Sequence, residues 1–277
     1  MSMDQKTLRR AQLVELEILK EVKRVCDKYG IHYWLDSGTL LGAVRHGGFI
    51  PWDDDLDIGM LRKDYERFTE IAPKELGEKY VFQNWYLTKG YYFPFGKVRK
   101  KGTVWQEMKA SKLEENGIYI DIFPYDVYPD GKKEQNKQHY YIDIFKRAIA
   151  VKHGDRAWIS AGGIDWARLV RYIPAIVVAL FIDENSKRKY DKRQCLYNCL
   201  DKHSYYFPSG ASQYGRWLVK KDILDSLSLI KFEDDMFPCP ANPDEYLRSC
   251  YGDYMKLPPI EKRQFGHSIV EVVFDEK

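Results

Sequence analysis

Four aspartates crowd into five positions of the run PWDDDLDIGM, at Asp53, Asp54, Asp55 and Asp57. That is far more negative charge than a surface turn needs. From position 55 polar and apolar residues alternate, the two-residue period of a β-strand. A strand over 55–60 would send Asp55 and Asp57 to one side and Leu56 and Ile58 into a core. Side chains two apart along a strand stand roughly 7 Å apart, and two carboxylates at that spacing repel each other unless a cation lies between them. Mg2+ or Mn2+ suits the gap, because a hard divalent ion takes carboxylate oxygen and keeps positions open for phosphate. The run also begins like a calcium-binding loop, with aspartates at 53, 55 and 57. That reading fails, because Ile58 stands where the loop needs glycine and Asp64 where it needs a bidentate glutamate.

Upstream, Ile31, Tyr33 and Leu35 alternate with His32, Trp34 and Asp36, a second strand pattern. Ser37-Gly38-Thr39 then opens a short apolar helix over 40–45, and Gly47-Gly48 closes it. A small, glycine-containing turn at a helix start offers backbone N–H groups and a positive dipole end, which suits a phosphate. A strand, a Ser-Gly-Thr helix start and a strand bearing Asp-x-Asp, in that order, resemble the signature of the nucleotidyltransferase fold. The whole run SGTLLGAVRHGGFIPWDDDLDIGM closely resembles the LicD family of bacterial phosphocholine transferases, related to the fukutin-type ribitol-phosphate transferases. The likeness continues near the other end of the chain, in Tyr251-Gly252-Asp253-Tyr254-Met255, Pro258-Pro259 and His267. It is weakest in the middle.

The remaining elements follow from periodicity. Leu8, Leu13, Leu16, Leu19, Val22 and Val25 mark a packing helix ended by Gly30, with no visible chemistry. Tyr65, Phe68, Ile71 and Leu76 mark another, broken or kinked near Pro73. Strands are expected over 80–84, 93–99, 103–107 and 117–123. Lys97 and Arg99 share a strand face, so both can point toward a pyrophosphate or stand as solvated edge charges. Asp121 is a lone carboxylate in the apolar run YIDIFP, where an unpaired charge is costly. Asp126, just past Pro124, reads as a turn residue and a weaker candidate for the same neighbourhood.

Residues 132–203 turn helical. Cys195, Cys199 and His203 stand at helical spacing, but i and i+8 lie about 12 Å apart along a helix axis, too far to share one zinc ion. The apolar run 168–182 is too short to span a bilayer of roughly 20 helical residues. It reads as a buried helix or as an interfacial helix flanked by Arg168 and Arg171. A short helix is expected after Asn242-Pro243.

With 277 residues, 44% hydrophobic and 15% aromatic, the chain can bury a substantial core. Its 44 basic and 41 acidic residues nearly cancel, to a net +3, so composition implies no nucleic-acid partner. Five cysteines without a CxxC argue for reduced thiols in a reducing compartment. The charged N-terminus lacks the apolar core of a signal peptide.

The resemblance implies an α+β fold: a nucleotidyltransferase-like mixed β-sheet flanked by helices, with a helical insertion. The expected division is a catalytic core over 1–130, the insertion over 131–204, and a C-terminal segment over 205–277 packing back on the core. It implies catalytic, metal-binding carboxylates at Asp55, Asp57 and Asp121, the last from a later strand, holding one or two ions. Ser37, Gly38, Thr39, Arg45, His46, Lys97, Arg99 and His267 are the implied nucleotide and substrate contacts. Arg45 and His46 read equally as a basic pair complementing a helix C-terminus. The implied donor is CDP-choline or another CDP-alcohol, and the acceptor a cell-surface glycan precursor carried by a membrane lipid. The implied location is cytoplasmic, with a peripheral contact to the inner face of the membrane. Choline, a quaternary ammonium, is held by aromatic faces worth about 0.5–2 kcal/mol each. Trp85-Tyr86, Tyr91-Tyr92-Phe93, Trp105 and Tyr205-Tyr206 are the clusters from which such a cage can be drawn. Two other readings stand beside phosphocholine transfer: polyol-phosphate transfer from CDP-ribitol or CDP-glycerol, and a non-catalytic glycan- or choline-binding module. The last has no reason to keep three aligned carboxylates.

Overall fold

A computed structural model describes residues 4–107, 113–154, 156–160, 163–210, 217–263 and 269–275. The first helix, α1 (Gln5–Tyr29), is capped by Asp4, whose side chain accepts from the Thr7 N–H at 2.8 Å. It ends at Gly30, whose φ of 60° gives the left-handed turn that releases the chain. Next come β1 (Trp34–Leu35), α2 (Ser37–His46), β2 (Asp57–Leu61), α3 (Arg62–Glu75), β3 (Tyr80–Gln83), β4 (Gly96–Lys100), β5 (Val104–Glu107) and β6 (Tyr119–Tyr128). The insertion holds α4 (Lys132–Lys152), the β7 (Ile159–Ser160) and β8 (Gly163–Ile164) hairpin, α5 (Trp166–Leu180) and α6 (Glu184–Gln194). The rest is β9 (Tyr205–Pro208), β10 (Val219–Lys220), α7 (Lys221–Leu224), β11 (Leu227–Phe232), β12 (Asp235–Pro240), α8 (Pro243–Tyr251) and β13 (Ile269–Val273).

The central sheet runs β1-β2-β6-β4-β3, with β9 added to the far half of β6 and β10 to β9. Only β2 and β6 are parallel among these pairs, so the sheet is mixed and the fold is the α+β class expected. Ile58, Val98, Ile120 and Ile122 share one face of the sheet and are fully buried, in one core with Leu19 of α1 and Phe68 of α3. The alternate residues, Asp57, Asp121 and Lys97, therefore share the other face. A second core joins Ile142, Ile149, Ala175, Ala179 and Tyr190 of the insertion to Trp85, Tyr91 and Phe207. The C-terminal segment returns to the first core through Phe232, Phe237, Tyr246 and Leu247, and β13 pairs with β5.

Several boundaries differ from expectation for local reasons. The acidic strand begins at Asp57, not at 55, so Asp55 lies in the loop that leads into it. β1 is only two residues long, because Asp36 leaves the ladder to cap α2. α3 is a single helix through Pro73, which falls in its last turn, where little helix remains for it to interrupt. β4 starts at Gly96 instead of 93, since Pro94 has no N–H to give a ladder. Conversely, β6 continues straight through Pro124. Its pairing with β4 ends at Ile122 and that with β9 begins at Tyr125, so proline occupies the handover between the two antiparallel partners. Asp126 is consequently a buried strand residue rather than a turn residue.

Candidate active site

Strand register builds the site. Asp57 of β2 is directly opposite Asp121 of β6, and Asp121 is opposite Lys97 of β4. Neighbouring strands lie about 4.8 Å apart, so the two carboxylates and the ammonium form a row across three strands on one face. The backbone of Asp57 is pinned from both sides: its N–H donates to Thr39 Oγ1 at 2.8 Å, and its carbonyl accepts from the Asp36 N–H at 3.0 Å. Thr39 thus ties the start of α2 to the acidic strand.

Asp55 joins from the loop. Its carboxylate, with those of Asp53 and Asp54, falls in a group whose oxygens lie within 4.8 Å of one another. Asp55, Asp57 and Asp121 do not form a group that tight among the described residues. The loop is held from beneath by Gln12, whose Nε2 donates to Asp53 O at 2.9 Å. Gly38 is required here, because a Cβ on it would stand 2.8 Å from Asp53 Oδ2. The Asp53 carboxylate therefore rests at the positive end of α2.

The electrostatics of this face are those of unneutralised like charge. The Asp57 carboxyl is pushed well above its ordinary range, by burial first and then by Asp55 and Asp121. Burial also pushes the Asp121 carboxyl up and the Lys97 ammonium down, and the 2.5 Å ion pair between them opposes both movements. One further carboxylate was not anticipated. Glu15 of α1 is 2% exposed, and its shielded Oε2 accepts no hydrogen bond. Burial pushes its carboxyl well above the ordinary range, and Asp55, Asp54, Asp53 and Asp121 push it further. A sequence signal existed: Gln12 and Glu15 sit four and seven residues after Leu8, inside the apolar stripe of α1. An all-oxygen donor set with excess negative charge and a shielded, unbonded carboxylate oxygen fits a hard divalent cation. The oxygens already within 4.8 Å of one another are those of Asp53, Asp54 and Asp55, and Asp57 and Asp121 face each other across β2 and β6.

The start of α2 is braced by a buried network that the sequence did not advertise. Asp36 is 1% exposed; its Oδ1 accepts from the Ser37 N–H at 2.7 Å and from the Tyr246 hydroxyl, and its Oδ2 from the Tyr125 hydroxyl at 2.8 Å. Burial pushes the Asp36 carboxyl up and these hydrogen bonds oppose it. Ser37 itself has φ 46°, a left-handed conformation that costs a non-glycine residue energy and that clusters at functional turns.

Around this centre the other expected contacts divide. Arg45 donates to Tyr254 O at 2.7 Å, and its charge is disfavoured by burial and by Arg263 while Asp53 supports it. Arg263 stacks on Trp52 at 5.3 Å, and His46 meets the same ring edge-on at 6.1 Å. Arg45, His46 and Arg263 therefore make a basic rim beside Asp53. Arg99 is turned inward, donating to Gln83 Oε1 and Gly117 O, each at 2.7 Å. His267 lies outside the described residues. Asp126 stands apart from the row, in a bidentate pair with Arg62. Cys195, Cys199 and His203 do not share a helix, since α6 stops at Gln194, and all five cysteines are free thiols.

Of the aromatic clusters, Phe93 and Phe95 with Tyr119 surround the Lys97 ammonium at 5.6, 5.5 and 3.4 Å, a cation box filled by the protein's own lysine. Trp85 and Trp105 are buried. A different pair, Trp217 and Tyr251 at 5.3 Å, stands near the acids. Burial raises the Tyr251 hydroxyl, and Asp57 raises it further, although the residue keeps 37% of its surface exposed.

Comparison with known proteins agrees with this geometry. Residues 30–152, which contain every acid of the row, match the family described as LicD/FKTN/FKRP, nucleotidyltransferase domain. The lipopolysaccharide cholinephosphotransferase LicD of Haemophilus influenzae is 31% identical over 267 residues, covering 94% of this chain and 96% of that protein. The human ribitol 5-phosphate transferase FKRP is 30% identical over 124 residues, 41% of this chain and 21% of its own length. The mouse ribitol-5-phosphate transferase FKTN is 36% identical over 107 residues, 39% of this chain and 20% of its own length. An acidic row beside a braced helix start, joined to a match of that extent, makes this chain a transferase of the LicD family.

Proposed function

We propose that the protein moves phosphocholine from CDP-choline to a sugar hydroxyl of a cell-surface glycan precursor and releases CMP. The reading rests on one observation above all, the register that sets Asp57 against Asp121 with Asp55 in the adjoining loop. In the transfer the sugar oxygen bonds to the phosphorus that bears choline, the anhydride P–O bond breaks, and CMP leaves with its electron pair. The proton of the hydroxyl goes to a carboxylate of the row, and burial suits such a group to accept it. Mg2+ or Mn2+, when bound, supplies Lewis acidity that offsets diphosphate charge and lowers the pKa of the attacking hydroxyl. The first-turn amides at Gly38 and Thr39 suit a phosphate, and Arg45 and Arg263 of the rim favour its remaining charge, with His46, whose imidazole burial and Arg45 hold toward the neutral form, able to donate one hydrogen bond. Trp217 and Tyr251 offer aromatic faces for a base or for choline.

Choline is preferred to ribitol because the cholinephosphotransferase matches nearly end to end, whereas the ribitol-phosphate transferases match less than half of this chain. CMP release is to be measured with CDP-choline, CDP-ribitol and CDP-glycerol, each with Mg2+, with Mn2+ and with EDTA. Turnover of CDP-choline that EDTA abolishes is the expected result. Turnover of polyol donors alone moves the assignment to polyol phosphate, and activity that survives EDTA sinks the metal.

A further inference from the structure

The outer face of α5 is apolar and uncovered. Trp166, Val170, Ile173, Val177 and Leu180 are 70, 63, 50, 51 and 77% exposed, and their spacing places them in one line along the helix. Phe181 extends the line at one end. At the other, Ile159 and Ile164 face each other across the β7–β8 hairpin and are both exposed, while Asp165 N–H donates to Trp158 O at 2.9 Å and binds hairpin to helix. The opposite side of α5 is apolar as well, with Ala175 and Ala179 buried in the insertion core. With one side of α5 already buried, a second, contiguous exposed apolar face of this size marks an interaction site.

Charge identifies the occupant. Between Asp165 and Asp183 the helix carries Arg168 and Arg171 and no acidic residue. Arg156 and Arg147 stand nearby, stacked on Trp158 at 5.7 Å and on Tyr172 at 5.3 Å. Among the described residues, Asp165 lies 3.6 Å from Arg168 and Asp143 lies 2.6 Å from Arg147. A second copy laid on the same face would bring these arginines no counter-charge from the helix itself, since a two-fold contact presents each patch to itself. Anionic headgroups would, since their negative surface potential attracts basic residues held near it. The helix is about 22 Å long, short of the roughly 30 Å hydrocarbon layer, and no helix among the described residues is long and apolar enough to cross a membrane.

We propose that the outer face of α5, together with the β7–β8 hairpin, is an interfacial surface that lies in the headgroup layer of an anionic bilayer. Apolar burial and arginine–headgroup attraction act together, the two signals that stable peripheral anchoring requires. The surface is independent of which donor the acidic row takes.

The full-length chain is to be floated with vesicles of phosphatidylcholine, with and without phosphatidylglycerol, beside the double variant Val170→Asp/Val177→Asp and the double variant Arg168→Glu/Arg171→Glu. Both apolar positions are exposed, so the fold survives the change; CMP release in detergent-free buffer and light scattering are recorded in parallel. Wild type partitions to the anionic vesicles, the aspartate variant loses at least about tenfold in partition, and the glutamate variant loses the preference for anionic lipid while CMP release stays unchanged. Equal partition of all three chains overturns the proposal. So does a wild-type dimer in solution that the aspartate variant dissolves, because the face is then a contact between copies.

Discussion

Two buried aspartates of β6, Asp121 and Asp126, stand five residues apart in opposite surroundings. Asp126 has no exposed surface and spends its lone pairs fully: Arg62 donates to it twice, at 2.9 and 2.5 Å, Ser209 at 2.9 Å and Asn198 at 2.7 Å. Burial alone would raise its carboxyl, and the Arg62 charge reverses the shift to below the ordinary range. Asp121 is buried too, at 8% exposed, but shares its face with Asp57 and the loop acids, and its direct cation is the single ammonium of Lys97, with Arg99 acting from further off. A carboxylate matched by its own guanidinium holds a structure together. One left among like charges raises the energy of the empty protein and lowers it again only when a cation arrives.

The widest separation between the two regions is expected on activity. Asp57→Asn and Asp121→Asn should lower CMP release by roughly a thousandfold or more, as loss of a group that acts only on the reacting centre does. Because Asp57→Asn removes repulsion, the melting temperature of the metal-free protein should hold or rise. Asp126→Asn inverts the pattern. It leaves the Arg62 guanidinium buried with a neutral partner and should cost about 3–5 kcal/mol of unfolding free energy in urea titration. Activity per folded molecule should change little. A stable but inactive Asp126→Asn protein would break the comparison.

The sequence displayed one side of this contrast and concealed the other. Local signals sufficed for α1 with its Gly30 cap, for α2 between Ser37-Gly38-Thr39 and Gly47, and for the alternation that flagged Asp57. Each is written within a few neighbouring residues. What joins Asp57 to Asp121 is a strand register between segments 64 positions apart, and no short-range pattern encodes it. Asp126 was misplaced because Pro124 suggested a strand end, whereas the strand merely changes partner there. Glu15 was hidden for a different reason. An acid on the inner stripe of a helix looks like an imperfection in the stripe until the loop opposite is seen to carry three more.

Proton and metal linkage sharpen the same contrast. Asp57 and Glu15 have folded-state carboxyls raised above their unfolded values, so protonation favours the native state. Their contribution is fully present below the unfolded range, near 3.8 and 4.5, and is lost as pH rises through the folded values. Asp191, beside Arg62, behaves likewise with a carboxyl pushed up to about 6 by burial. Asp126, being lowered, does the reverse and gives way only in strong acid. The metal-free protein should therefore lose melting temperature as pH rises above the unfolded values of 3.8 and 4.5, and Asp57→Asn should flatten that slope. Saturating Mg2+ or Mn2+ should restore the loss at neutral pH, about 2.7 kcal/mol at a concentration one hundred times its dissociation constant. A slope that neither Asp57→Asn nor metal alters would show that the row is not where the strain resides.

The smallest effect is expected at Asp36, which falls between the two extremes. It is as buried as Asp126 and lacks a cation, yet neutral donors, the Ser37 N–H and the Tyr125 and Tyr246 hydroxyls, satisfy it. Tyr246 comes from α8, so this hydrogen bond fastens the C-terminal helix to the start of α2. Tyr246→Phe keeps the ring and removes one of four donors, the Ser37 hydroxyl at 3.4 Å being the fourth, and should cost about 1–2 kcal/mol in stability. Turnover should fall by less than about tenfold and the donor KM should rise by no more than that, because the acids remain and only the turn offered to the donor phosphate loosens. A loss as deep as that of Asp57→Asn would make the tyrosine hydroxyl a participant in the transfer, and the line between bracing and reacting groups would then have to be moved to include α8.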